Sequence, residues 1–184
     1  PPEGGEWRKD WFQMINKAEV PGDVVWEMFI DGAYTKDTKN DPTGIQISGK
    51  SGDNLYIFKS IDKYLEMPEL KNFINSFVKS CGVPISQILV EPKASGKSLV
   101  QLLRRETMYN VSELKTNFVK YSKIERARAS SPFIEGGRVY LVKDNWNDAY
   151  LQQVSTFPNA KHDEHIDVTS YSIERNLINN FFIV

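Results

Sequence analysis

Five acidic residues stand where an element of this chain ends or begins. Asp31 follows the apolar run Val24-Val25-Trp26-Glu27-Met28-Phe29-Ile30, and Glu91 follows Ile85 to Val90. Asp163, Glu164 and Asp167 open the last helical stretch, directly after His162. Side chains at strand ends and at a helix start can meet in space although they lie far apart in sequence. Carboxylates that meet repel one another unless cations sit among them, which points to a divalent-metal site. Asp163 and Asp167 are four apart and share a helix face, and Glu164 and Asp167 nearly do. The competing reading is an N-terminal helix cap, which accounts for Asp163 or Glu164 better than for Asp167 one turn further in. His162 and His165 match no zinc spacing closely, and hard oxygen donors favour Mg²⁺ or Mn²⁺.

Elements must hold these residues in place. The periodicity predicts strands over 24–30, 43–48 and 55–61, the last two joined by a turn at 49–54. A helix is expected from Pro68 to Gly82, with Leu70, Phe73, Ile74, Phe77 and Val78 on one face. A strand from Ile85 to Val90 and a short helix after Gly96 follow. The stretch Val111 to Phe118 is ambiguous between strand and loop. Further helices are expected over 123–133, 146–154 and 163–176, with a short strand over 138–141. Three successive strands and then alternating helix and strand predict an α/β domain, a mixed sheet with helices on both faces.

Residues 1–22 read as a lead-in and 23–184 as the domain. Pro1 in place of an initiator Met predicts a piece of a longer chain. Trp7, Trp11 and Phe12 are too apolar for a free tail, so the lead-in is expected to pack on this domain or on one preceding it.

With 184 residues, 40% hydrophobic and 26% charged, the chain has the composition of a globular domain with a sizeable core. No apolar run is long enough to cross a bilayer. Cys81 is the one cysteine, which excludes an internal disulfide and a thiolate zinc cage; its setting predicts a buried structural thiol. The net charge of −1 argues against a wholly basic nucleic-acid binder. Between 97 and 128, however, Lys97, Arg104, Arg105, Lys115, Lys120, Lys123, Arg126 and Arg128 outnumber Glu106, Glu113 and Glu125. That excess is either a solvated face or a grip on a phosphate backbone.

The segment Glu91-Pro92-Lys93-Ala94-Ser95-Gly96-Lys97-Ser98 imitates a phosphate-binding P-loop, following a strand and ending Gly-Lys-Ser. Glu91 stands where that motif needs its first glycine, and Pro92 removes an amide that should face phosphate. Glu91 reads better as a metal ligand, with Lys93 and Lys97 as backbone contacts and Gly96 letting the helix start close to DNA.

These residues resemble the C-terminal nuclease domain of phage terminase large subunits, over about Trp26 to Ser172. Four stretches carry the resemblance. They are the strand ending in Asp31 with its polar loop to Asn40-Asp41; Ile88-Leu89-Val90-Glu91-Pro92-Lys93-Ala94-Ser95-Gly96; Lys123-Ile124-Glu125-Arg126-Ala127 with Gly137-Arg138-Val139-Tyr140; and Phe157-Pro158-Asn159-Ala160-Lys161-His162-Asp163-Glu164 with Asp167. The lead-in Gly4-Gly5-Glu6-Trp7 is similar to the family's segment between ATPase and nuclease.

The resemblance implies a ribonuclease H-like fold and endonuclease cleavage of double-stranded DNA at the start and end of packaging. It implies two Mg²⁺ or Mn²⁺ ions held by Asp31, Glu91 and Asp163, with Asp167 assisting, Glu164 in reserve and Asp41 an outer-sphere helper. Lys93, Lys97, Arg126, Arg128 and His162 would contact DNA. Glu164 stands where the family commonly has Asp, and Val168 where it has a small residue. Portal protein and the small terminase subunit are the implied partners, host cytoplasm at the procapsid portal the implied location, and the isolated domain is expected to be monomeric. A non-catalytic DNA-gripping or portal-docking module, and a Holliday-junction resolvase of the same fold, stay open.

Overall fold

Alternating apolar and polar positions along the strands, and the helices between them, assemble one mixed sheet in the computed structural model, which describes residues 4–32 and 41–179. The strands are β1 (Gln13–Ile15), β2 (Trp26–Asp31), β3 (Thr43–Ser51), β4 (Asn54–Lys63), β5 (Ile85–Val90), β6 (Val111–Glu113) and β7 (Val139–Val142). Their order across the sheet is β1-β7-β4-β3-β2-β5-β6. β2, β3 and β4 form the antiparallel meander, while β2 with β5, β5 with β6, and β4 with β7 pair in parallel. The expected α/β mixed sheet is therefore present. Most of the expected polar loop over 32–42, Asn40 included, lies outside the described residues.

The helices are α1 (Met67–Ser80), α2 (Ala94–Glu106), α3 (Lys123–Glu135), α4 (Asn147–Thr156) and α5 (Glu164–Ile173), the last running on into a π-helical turn over Glu174–Ile178. α1 starts where the Glu69 carboxylate accepts from the Glu66 amide at 3.3 Å, and Gly82 (φ 95°) turns the chain after it. α3 starts on a reciprocal cap between Ser122 and Glu125. The helix expected after Gly96 begins at Ala94, and Gly96, in its first turn, packs on the strand end. A Cβ there would lie 2.2 Å from the Glu91 carbonyl oxygen. Gly96 thus serves helix–strand packing.

Two apolar layers sandwich the sheet. Met28, Ile30, Ile45, Ile47, Ile88 and Val90 pack under α1 and α2, while Leu55, Ile57, Val139 and Leu141 pack under α3, α4 and α5, against Ile166 among others. The lead-in belongs to the second layer. Trp7 is buried and its indole N–H donates to the Ala127 carbonyl at 2.9 Å, and β1 pairs with β7 in parallel. Cys81 is buried with its thiol directed at the Val83 carbonyl, 3.2 Å away. No helix among the described residues is long and apolar enough to cross a membrane.

α5 is the central helix, and every one of its residues is buried. Small hydroxyl side chains let it settle on the meander, and Gly44 of β3 makes room. A Cβ at Gly44 would come within 3.1 Å of the Glu164 backbone oxygen.

Candidate metal centre

β2 and β5 are neighbours in parallel register, with Ile30 opposite Val90. Asp31 and Glu91 therefore leave the sheet side by side at its carboxyl edge, where open α/β sheets place ligands. Strand alternation sends Phe29 and Asp31 to the α5 side, and Phe29 packs there against Val168 and Tyr171. Asp167 and Tyr171 lie one turn apart on α5 and face the same edge.

The Asp31, Glu91 and Asp167 carboxyls meet there, all nearly inaccessible to solvent. Burial, reinforced by Glu91, pushes Asp31 up to about 6, with Lys93 working against the rise. Burial and the Asp31 charge likewise raise Asp167, opposed by Lys123 and Arg126. Burial alone would raise Glu91, but hydrogen bonding with Asp31, Lys93 and Tyr171 holds it below its ordinary value.

Two lysines sit on this cluster. Lys93 Nζ lies 3.1 Å from Asp31 Oδ1 and 2.6 Å from Glu91 Oε2. Lys123 Nζ lies 2.5 Å from Asp163 Oδ1 and 2.8 Å from Asp167 Oδ2. Behind them, Arg126 donates from Nη2 and Nε to Asp167 Oδ1 at 2.7 and 3.1 Å, and its guanidinium lies 5.4 Å from the centre of the Tyr171 ring. The Tyr171 hydroxyl donates to Glu91 Oε1 at 2.5 Å. Ammonium groups lie between the acids, and among the described residues no three His, Cys, Asp or Glu are grouped closely enough, as they stand, to hold a metal ion.

The donor set suits a hard divalent ion: three buried carboxylates, two of them raised by burial and like charge, with no thiolate and no histidine among them. Glu91 Oε2 has no aligned hydrogen bond, although Lys93 touches it, and Glu164 Oε2 is buried without a hydrogen-bond partner.

The expected residues fall into distinct places. Asp31 and Glu91 are at the centre. Asp167, expected to assist, is the helix acid in contact with Asp31; Asp163 reaches the cluster through Lys123. Asp163 holds the cap position of α5 but makes no side-chain capping bond. Glu164 faces β3 and the rim, with burial raising it. His162 is also at the rim, its Nε2 3.0 Å from the Tyr64 hydroxyl and its Nδ1 3.9 Å from Glu164. Asp41 is exposed.

Of the expected DNA contacts, Lys93 is in the cluster and Lys97 is exposed one turn along α2. Arg126 is buried, because Asp167 and the Phe118 and Tyr121 carbonyls take its donors. Arg128 is exposed and pairs with Glu6 of the lead-in at 3.0 Å. Sequence reasoning missed Tyr171 and the engagement of Lys123. The four-residue step from Asp167 to Tyr171, and the three-residue step from Lys123 to Arg126, were the available signals. A separate groove of about 970 Å³ opens beside Pro92, between Val25, Lys50, Lys115 and Arg175, and none of the clustered acids lines it.

Solved structures share this architecture. The large terminase of thermophilic bacteriophage D6E superposes with a TM-score of 0.65 at 13% identity, covering 92% of this chain and 44% of that one. The chain thus spans under half the length of that terminase. The large terminase nuclease of thermophilic phage G20c with bound zinc gives 0.61 at 13% identity over 91% and 96% of the two chains. The g2p large terminase nuclease domain of bacteriophage SPP1 with bound Mn gives 0.60 at 14% over 91% and 98%. No curated protein matches the sequence. The family model of the terminase RNase H-like domain matches residues 28–175, a span that holds Asp31, Glu91, Asp163 and Asp167, and the chain belongs to that family.

Proposed function

We propose that this domain is a divalent-metal-dependent endonuclease that cuts double-stranded DNA at the start and end of genome packaging, as part of a longer terminase. The observation that carries the reading is the convergence of Asp31, Glu91 and Asp167 at the carboxyl edge of β2 and β5, each buried beside like charge. In the metal-free protein Lys93, Lys123 and Arg126 offset these charges, and a divalent ion is a ligand that could take the place of the lysines. The SPP1 relative with bound Mn supports a divalent ion of this type.

Asp31, Glu91 and Asp167 would hold two Mg²⁺ or Mn²⁺ ions, with Asp163 at the margin. When bound, such ions supply a water of lowered pKa and stabilise charge on the scissile phosphate and the leaving 3′ oxygen. The chain's own residues set the geometry. Tyr171 fixes the Glu91 carboxylate through its hydroxyl, and Arg126 fixes Asp167 from the opposite side. Lys93, half exposed on the loop into α2, is free to turn toward a phosphate oxygen once its carboxylates are neutralised. Lys97 and His162 extend the approach on either side. These groups hold phosphate without reading bases, so sequence preference is slight and binding weakens steeply with salt. Portal protein and a small terminase subunit are the partners such a domain would meet in the motor.

Plasmid digestion with Mg²⁺, Mn²⁺ or EDTA tests the reading. Nicking and linearisation with either metal, abolished by EDTA and by Asp31→Asn, is the expected result. Cleavage that persists in EDTA, or intact plasmid under every metal condition, overturns it.

A further inference from the structure

The groove beside Pro92 has no part in the metal centre. It opens between the turn that follows β6 and the π-helical turn that ends α5, and buried carboxylates pin both lips. Glu174, 2% exposed, accepts from the Asn117 amide at 2.7 Å and from the Thr116 hydroxyl. Glu27, also buried, accepts from Arg175 Nε and Nη2 at 2.7 and 2.8 Å. The volume of about 970 Å³ lies at the upper end of the roughly 300–1,000 Å³ of ligand sites. Walls that are already fixed need little ordering when a ligand enters.

The lining selects the ligand class. Val25, 64% exposed, forms an apolar strip with Pro92 and Leu114. Lys50 and Lys115 add positive charge, whereas the charge of Arg175 is matched by Glu27. Asn117, Asn176 and Asn179 supply amides. Asn176 spends its amide nitrogen on the Ser172 carbonyl at 2.9 Å and the Ser172 hydroxyl at 3.4 Å, which leaves its oxygen as an acceptor. A phosphate backbone has no donor for that oxygen, while a peptide main chain offers an N–H at nearly every residue. Two lysines are also few against a nucleic-acid strand that carries one charge about every 3.4 Å. The residues after Asn179 in this chain, Asn180-Phe181-Phe182-Ile183-Val184, hold no acidic side chain to meet those lysines.

We propose that this groove docks an extended acidic segment of another protein. One apolar side chain lies on Val25 and Leu114, main-chain amides pair with the asparagines, and flanking carboxylates meet Lys115 and Lys50. Because the groove reaches Pro92, next to Glu91, the partner is held beside the acidic edge without covering it.

Fluorescence anisotropy in EDTA tests this without any cleavage step, using labelled heptapeptides that carry Leu, Ile or Phe between pairs of Asp or Glu. Saturable binding to the wild-type domain is expected, weakened at least about tenfold by Lys115→Glu and about threefold or more by Asn117→Ala. Lys120→Glu makes the same charge change on an exposed residue outside the groove and should leave binding within about twofold. Peptides with Asn and Gln in place of the acids, or Gly in place of the apolar residue, should bind at least about tenfold more weakly. Absence of saturable binding by every acidic peptide overturns the inference. Equal weakening by Lys115→Glu and Lys120→Glu does the same, since it marks general electrostatics. A ten-nucleotide thymidine strand that displaces the peptides and loses binding in Lys115→Glu makes nucleic acid the occupant and also overturns it. Should a variant fail to fold, the neutral peptides still decide. Plasmid cleavage is measured separately, so this inference and the nuclease reading can fail independently.

Discussion

Two buried polar regions lie side by side under α5, and they are built on opposite principles. At the sheet edge, Asp31, Glu91 and Asp167 are like-charged, and burial raises two of them. Beneath the middle of α5, neutral groups hydrogen-bond to one another, although among the described residues Gln46 Oε1 and Ser170 Oγ are left without a partner. Gln46 donates to Thr169 at 2.8 Å and to Ser60 at 3.2 Å, Ser60 meets His165 Nδ1 at 2.8 Å, and the Tyr150 hydroxyl meets Thr169 at 2.8 Å. The first region gathers like charges and offsets them with Lys93, Lys123 and Arg126; the second spreads polarity over hydrogen bonds that fix how α5 sits on the meander. Depth of burial therefore does not distinguish site from scaffold here. The sign of the charges does.

The contrast breaks most sharply at Asp31. Asp31→Asn should lower plasmid cleavage by at least about 10³-fold while leaving the metal-free fold intact. Because the folded carboxyl is raised from 3.8 to about 6, Asp31 binds its proton more tightly folded than unfolded. Its contribution favours folding at low pH and is lost as pH rises from about 4 to 6. Asp31→Asn should thus make the metal-free domain more stable at pH 7, by about 1–3 kcal/mol. Urea unfolding in EDTA measures this, and a clear loss of stability would mean that the cluster is scaffold after all.

His165 gives the opposite slope. Burial lowers it to about 4, with Asp62 opposing, so the unfolded chain binds the proton more tightly. Stability in EDTA should fall as pH drops from about 6.5 to 4, by up to about 3 kcal/mol, and His165→Gln should flatten that fall. A next effect belongs to the matched layer. Thr169→Val leaves the Tyr150 hydroxyl without its partner and Gln46 with Ser60 alone, and should cost about 1–3 kcal/mol, with cleavage per folded molecule unchanged. The smallest effect sharpens the boundary between the regions. Tyr171→Phe removes the hydroxyl that steadies Glu91 and should reduce cleavage about tenfold, with unfolding shifted by under about 1 kcal/mol. Equal losses of stability and activity would place Tyr171 with the scaffold.

Much of this was readable in the residues. Apolar runs ending at Asp31 and Glu91 predicted two strands that the structure contains, and the glutamate in the P-loop-like segment stands beside Asp31. The meander and helix α1 were equally plain, since their periodicity and turn glycines are local signals. The lead-in was harder. Trp7 and Phe12 announced packing, but β1 is three residues long with two of them exposed, so no alternation marks it as a strand. The helix over α5 was legible, but its depth was not. Its Ser and Thr residues are buried because close approach to β3 needs small side chains that hydrogen-bond across the interface.

What the sequence determined by itself is the inventory: which strands end in acids, which helix begins with them, and that no thiolate competes for metal. Tertiary structure alone decided which of these side chains meet. The parallel register of β2 with β5 sets Asp31 beside Glu91, and the angle of α5 brings Asp167 to them and leaves Asp163 to Lys123. The same packing buries Arg126 within the basic stretch. The physical reason is that helix and strand periods assign residues to faces, whereas distances between faces come from register and packing summed over the whole core.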